Sequence, residues 1–274
     1  MISIITPCLN ICADGRLKYF NKMMKSIHNQ TWNDLEHLVI DGGSTDGTID
    51  VLKQYQHKKW INRLVSERDS GVYSAINKGI TMSKGNYIHI MNTDDFFLDL
   101  DYFKKSINIL QSEKYDFIHA DRIVKSREGR PDYIKEGNEK VAFFRMPFRH
   151  QTMIVKRKIF DEVGMFDESY KIAADYKFVL QMLLAKRKGH HITETVLCSL
   201  DGGISSDREK CIQEVSHVIY ETYGQQNGLT LNDCATIYQR VISPKLYYKI
   251  LTNIKDKKIV DSLKICYGQS NSQI

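Results

Sequence analysis

Two adjacent carboxylates, Asp94 and Asp95, end the segment Asn92-Thr93-Asp94-Asp95, which follows the strand-like run Asn86-Tyr87-Ile88-His89-Ile90-Met91. Carboxylates so placed can hold a hard divalent cation, and the cation can hold a diphosphate. Asn and Asp are also ordinary turn formers, so the pair alone leaves a solvated turn open as well. Polar clusters follow three other short apolar runs: Thr6-Pro7-Cys8-Leu9-Asn10, Asp41-Gly42-Gly43-Ser44 and Asp69-Ser70-Gly71. Asp41, at a strand end, could accept from a base N–H or a ribose hydroxyl, and the glycines after it permit close backbone approach. The plain alternative is an Asp-Gly turn with a helix cap at Ser44 or Asp46.

These clusters can act together only if the strands before them run side by side. The first half of the chain alternates strand and helix patterns, which predicts a parallel α/β sheet. Strands are expected at Ser3–Thr6, with Pro7 ending the first, then at His37–Ile40, Ile61–Ser66 and Tyr87–Met91. Helices are expected at Leu17–Asn29 and Thr48–Tyr55, and after Asp69 or Ser70, where Val72, Ile76, Gly79 and Ile80 share a face. Right-handed crossovers would bring all four strand tips to one edge, the edge at which open α/β sheets bind ligands. Further on, the pattern predicts a helix at Tyr102–Gln111, a strand at Tyr115–Val124 and a hairpin or loop at Ser126–Asn138. A strand at Met153–Val155, a helix at Asp175–Ala185 and a strand at His191–Leu200 follow, with helices from Asp207 on. The fold class is therefore α/β: a mixed, mainly parallel sheet flanked by helices, residues 1–205, with a C-terminal helical extension, residues 206–274.

The 274 residues carry a net charge of +6, with 42% apolar and 26% charged side chains, the composition of a soluble globular protein. That charge lacks the basic, aromatic-interleaved stripe of a nucleic-acid binder and suits anionic substrates or an anionic membrane surface. No apolar run approaches the roughly 20 residues of a membrane span, and Met1–Ile5 is too short for a signal peptide. A cytoplasmic location is the expectation. The basic, amphipathic stretch from Pro244 to Ile265 has three readings: packing on the core, an oligomer contact, or peripheral contact with the inner face of the cell membrane. The six cysteines are scattered without zinc-site spacing and read as reduced thiols.

Taken in order, the clusters resemble the family 2 inverting glycosyltransferases, nucleotide-sugar enzymes with the GT-A fold. The matching segments are Ser3–Asn10, Val39–Thr48, Asp69–Gly79, Asn92–Asp95, Arg149-His150-Gln151, Gly164–Glu168, Ala174-Asp175-Tyr176 and Gly202-Gly203-Ile204-Ser205. They span about residues 1–205, and small bacterial enzymes of surface-polysaccharide synthesis are the nearest in kind. The resemblance implies that Thr6, Pro7 and Asn10 cup the base and ribose of the donor nucleotide. It also assigns Asp41, Asp69, Gly71, Asn77 and Lys78 to nucleotide and sugar recognition, and Asp94 to the ribose or donor sugar. Asp95 would ligate Mn²⁺ or Mg²⁺, and Asp175 would be the general base. His150 and Gln151 would meet acceptor or phosphate, and Gly202–Ser205 would be a loop over the diphosphate. Many relatives carry Glu-Asp where this chain has Ala174-Asp175. The Gln-x-x-Arg-Trp motif of processive members is missing, which favours transfer of a single sugar. The implied activity moves a sugar from a nucleotide-sugar donor, expected to be a UDP-sugar, to a hydroxyl of a saccharide or lipid-linked glycan acceptor. A non-catalytic nucleotide-sugar-binding scaffold is one alternative. A sugar nucleotidyltransferase is another, but Thr6–Asn10 lacks the glycine-rich first loop of that class.

Overall fold

A computed structural model describes residues 1–126, 129–201 and 207–271. The chain packs as two compact units. The first, Met1–Gly137, Phe148–Glu168 and Lys186–Gly202, holds the sheet; the second, Asn138–Pro147, Ser169–Ala185 and Gly203–Ile274, is helical.

The strands of the first unit are β1 (Ile2–Cys8), β2 (Leu35–Asp41), β3 (Arg63–Ser66), β4 (Tyr87–Ile90), β5 (Phe96–Phe97), β6 (Phe117–Lys125), β7 (Tyr133–Lys135), β8 (Ile154–Lys156) and β9 (Gly189–Leu200). They form one sheet in the order β3-β2-β1-β4-β8-β6-β9-β5, with β7 paired antiparallel to β6, the hairpin of the two alternatives for that stretch. The β3-β2-β1-β4 block is parallel, as is β6 with β9, while β8 and β5 pair antiparallel. Helices α1 (Leu17–His28), α2 (Thr48–His57), α3 (Val72–Met82), α4 (Tyr102–Leu110) and α5 (Lys158–Val163) flank it.

Both faces of β1 are covered, which is why its sequence is a nearly continuous apolar run rather than an alternating one. Ile2, Ile4 and Cys8 join Phe20, Met23 and Ile27 of α1, Leu52 of α2 and Phe103 of α4 in the main hydrophobic cluster. On the other face α3 lies so close that a Cβ on Gly79 would sit 2.4 Å from Cγ2 of Ile5. β1 does not stop before Pro7 as expected; it continues to Cys8, with Pro7 opposite Ile40. The reason is directional. Ile5 turns its carbonyl toward β4, accepting from Met91 N at 2.9 Å, so Pro7, two residues on, faces the same side. Pairing with β4 ends at Ile5, and a missing N–H on that side disrupts no ladder.

In the second unit lie α6 (Ala174–Leu184), α7 (Arg208–Ile219), α8 (Leu231–Gln239), α9 (Pro244–Asn253) and α10 (Lys257–Asn271). Thr230 and Asp233 form a capping box at the start of α8, and Ser243 caps α9 with Pro244 in its first turn. Of the three readings of the basic stretch, core packing accounts for most of its apolar residues. Leu246, Ile250, Ile254, Ile259 and Leu263 are all buried, and Tyr247 stacks on Tyr267 at 3.9 Å. Leu251 stays exposed. No described helix is long and apolar enough to cross a membrane.

The sheet also buries His37, His89 and His119. His37 Nε2 meets Thr6 Oγ1 at 2.9 Å, and His89 Nδ1 meets Met153 O at 2.7 Å. Burial pushes the imidazoles of His37 and His89 down to about 4. Below the ordinary value near 6.5 the unfolded chain takes up protons that the folded chain refuses. Stability contributed above that pH is thus lost as pH falls toward about 4, by up to roughly 3 kcal/mol per histidine. Urea titrations at pH 7.5 and 5 are expected to register this loss, and His37→Gln and His89→Gln to make it smaller.

Candidate active site

Because β1 to β4 are parallel, the loops after them lie at one edge of the sheet. Asp41, at the end of β2, organises that edge. Its side chain is buried, and Oδ2 accepts from Gly43 N at 3.0 Å, Ser44 N at 3.0 Å and Ser66 Oγ at 2.8 Å. Ser44 Oγ donates to Oδ1. Four donors occupy the sites that a carboxylate offers, so the immediate task of Asp41 here is to hold its own loop and the tip of β3. The same loop binds the one after β1. Asn10 N donates to Ser44 Oγ at 2.7 Å, Asn10 Oδ1 accepts from Thr45 N at 3.0 Å, and Ala13 N donates to Asp46 Oδ2 at 2.8 Å. Asn10 itself is left-handed, with φ 49°, a conformation Asn tolerates better than most residues.

Thr6 is buried and turned to His37, while Pro7 is half-buried at the strand end. Asp69 is not the cap of α3. That position belongs to Gly71 (φ 141°), whose N–H donates to Asp69 Oδ1 at 3.0 Å. Asp69 instead lies against Gly42, where a Cβ would approach its Oδ2 to 2.7 Å. Gly42 therefore lets the loops after β2 and β3 close on each other. On α3, Asn77 clasps the Phe166–Glu168 segment. Its Nδ2 donates to Phe166 O at 2.8 Å and Glu168 Oε1 at 2.9 Å, and its Oδ1 accepts from Phe166 N at 3.1 Å. Lys78 forms an ion pair with Glu67.

After β4 the two carboxylates separate in character. Asp94 is half-buried, whereas Asp95 is 2% exposed and its Oδ2 has no hydrogen-bond partner among the described residues. Burial, then the charge of Asp94, pushes the Asp95 carboxyl well above the usual range, against the opposing pull of Arg122 and Arg149. An unpartnered, buried carboxylate oxygen is the hard donor that Mg²⁺ or Mn²⁺ takes. No cluster of three or more His, Cys, Asp or Glu suited to a metal exists among the described residues. A cation at Asp95 would therefore draw most of its ligands from water or a bound diphosphate.

The sequence reading missed the other wall. β6 and β9 slip register around Ala120, Asp121 and Arg122, a bulge of the kind that re-aims side chains next to active sites. Asp121 accepts from His191 Nε2 at 2.6 Å and Gly137 N at 2.9 Å. Arg122, almost fully buried, donates to Ser199 Oγ, and burial followed by the like charge of Arg149 pushes its guanidinium down to about 10. Ser199 is the β9 residue next to Cys198, which pairs with Phe96 beside Asp95. The available signal was a charged Asp-Arg pair inside an apolar strand, since buried charges are rare without a partner. His150 and Gln151 sit in a short 3₁₀ turn, with Gln151 buried. Asp175 is buried at the second position of α6, in the second unit, and Oδ1 accepts from Tyr176 N at 2.8 Å. Gly202–Ser205 lies outside the described residues.

Residues 3–167 match the family described as Glycosyl transferase family 2. The chain belongs to that family, and it is a glycosyltransferase. It is 29% identical over 181 residues to a PGL/p-HBAD biosynthesis glycosyltransferase of Mycobacterium tuberculosis, covering 65% of this chain and 68% of that protein. An uncharacterized glycosyltransferase of Methanocaldococcus jannaschii is 26% identical over 272 residues, 90% of this chain and 92% of that one. Among solved structures, S. aureus TarS 1–349 in complex with UDP-GlcNAc superimposes with a TM-score of 0.64 at 14% identity, over 99% of this chain and 92% of that one. The longer TarS chain is spanned only to 53%. The mannosyltransferase PcManGT from Pyrobaculum calidifontis, in complex with GDP-Man and Mn²⁺, gives 0.60 at 12% identity, over 99% of this chain and 75% of that one. At these identities the likeness shows the GT-A fold.

Two outcomes test this transferase's edge. Asp95 is held neutral more readily when folded than when unfolded, so its penalty grows as pH rises above the unfolded value near 4. Asp95→Asn is therefore expected to raise the melting temperature in chelator at pH 8, with the gain shrinking toward pH 4. Gly42→Ala is expected to cost about 1–3 kcal/mol in urea denaturation, because the new methyl overlaps the Asp69 carboxylate.

Proposed function

We propose that this glycosyltransferase is an inverting, divalent-cation-dependent enzyme that transfers one sugar from a UDP-sugar to a hydroxyl of a saccharide or lipid-linked glycan. The observation that carries the reading is the unpartnered, buried oxygen of Asp95 at the edge where four parallel strands deliver their loops. The structural likeness to TarS, bound to UDP-GlcNAc, and to PcManGT, bound to GDP-Man and Mn²⁺, supports a nucleotide-sugar donor and a cation. In this reading residues 1–205 form the transferase domain and residues 206–274 a helical extension.

The loops holding Asn10, Asp41, Asp69 and Gly71 form the nucleotide wall. Asp41 fixes its shape, while Thr6 and Pro7 set the strand end from which it starts. Asn77 and Lys78 brace the helix behind that wall, and Asp94, the more exposed carboxylate, faces ribose or sugar hydroxyls. Asp95 would hold Mn²⁺ or Mg²⁺, which when bound offsets negative charge on the leaving diphosphate. His150 and Gln151 are assigned to the acceptor or phosphate. Asp175 takes the proton of the attacking hydroxyl as the acceptor oxygen bonds to the anomeric carbon. The bond from that carbon to phosphate breaks, and the nucleoside diphosphate leaves with its electron pair. What supports Asp175 is its place in the family order, at the start of α6.

The test is nucleotide release from UDP-GlcNAc, UDP-glucose, UDP-galactose and GDP-mannose with Mn²⁺ across varied acceptors. Asp175→Asn is expected to lower turnover by about 10²–10⁴-fold, the range of a lost general base, with donor affinity unchanged. Asp95→Asn is expected to lose the thermal stabilisation that Mn²⁺ and UDP together give the wild type. Wild-type turnover in Asp175→Asn, or no release from any donor, would refute the reading.

A further inference from the structure

Three successive backbone amides lead into the start of α6, and all three point at one carboxylate. Glu214 of α7 accepts from Lys171 N at 2.9 Å through Oε1, and from Ile172 N at 2.7 Å and Ala173 N at 2.9 Å through Oε2. Consecutive N–H groups of this kind form a concave nest for an anion. Here the anion is internal, so the nest is closed to a substrate phosphate. Ala173, the N-cap of α6, has no side chain able to cap the helix, and neither has Ala174 after it. The anchoring that these positions cannot supply arrives from another helix. Downstream, Tyr176 donates through its hydroxyl to Ala142 O at 2.7 Å, and Lys177 pairs with Glu221 at 2.7 Å. Asp175 thus sits between a nest filled by Glu214 and a ring tethered by its hydroxyl.

We infer that Glu214 is a positioning residue for Asp175, holding the backbone that aims the base; the inference rests on Asp175 being that base. Charge-assisted bonds to backbone amides are among the stronger ones available, and small misplacements of a reacting group are costly in rate. Glu221, which pairs with the Lys177 side chain, should not share the role.

Hydrogen exchange across residues 170–176 and donor turnover, measured together on Glu214→Ala, Glu214→Gln and Glu221→Gln, decide the matter. Glu214→Ala is expected to speed exchange of these amides and to lower kcat by about 10- to 100-fold, with the donor KM unchanged. Glu214→Gln keeps the shape and one accepting oxygen, so it should recover part of both losses and report the role even if the Ala variant folds poorly. Glu221→Gln should match the wild type. Unchanged exchange in both Glu214 variants would overturn the nest. Faster exchange with wild-type kcat, or a loss confined to the donor KM, would overturn the positioning role. A wild type that releases no nucleotide from any donor refutes the base, and with it the positioning; the exchange data then still report whether Glu214 holds the amides.

Discussion

The loop edge of the parallel strands depends on one buried carboxylate. Asp41 ends β2 with no solvent exposure, so a carboxylate there is tolerable only because donors surround it. Those donors belong to its own loop and to the tip of β3. Ser44, one of them, accepts in turn from the backbone of Asn10. Three loops from three strands are thereby tied together through one side chain. Preorganisation of this sort lowers the ordering cost of binding.

Asp95 is the opposite case. It too is buried, yet one oxygen has no partner among the described residues, and the charges of Arg122 and Arg149 only partly oppose the effect of burial. Such a group lowers stability in the free protein, and such costs gather at sites where function retains them. The fold thus gives two like side chains opposite surroundings, with Asp41 fully bonded and Asp95 incompletely so. Arg122, at the register slip between β6 and β9, adds its charge to the surroundings of Asp95.

Much of the fold was legible because periodicity and turn residues are local signals. The parallel block, the helices between its strands and the helical second unit follow from runs such as His37–Ile40 and breaks such as Gly228 and Pro244. Pro7 misled because a missing N–H matters only on a side where a partner strand lies, and partners are not written locally. Asp69 misled similarly. The helix expected directly after Asp69 or Ser70 is capped by Gly71, which leaves Asp69 facing Gly42. The hydrogen bonds of the Asn77 amide to Phe166 and Glu168, some ninety positions away, likewise leave no local trace.

By itself the sequence determined the fold class, the family and the identity of the carboxylates at the strand ends, since these rest on residue type, order and short-range spacing. Only the tertiary structure decided which carboxylate is satisfied and which is not. It also decided that Arg122 stands beside Asp95 and that Glu214 anchors the approach to Asp175. The physical reason is that burial and hydrogen bonding are set by groups far apart in the chain, brought together by packing. A carboxylate's charge state and freedom to bind depend on those neighbours, not on its own place in the sequence.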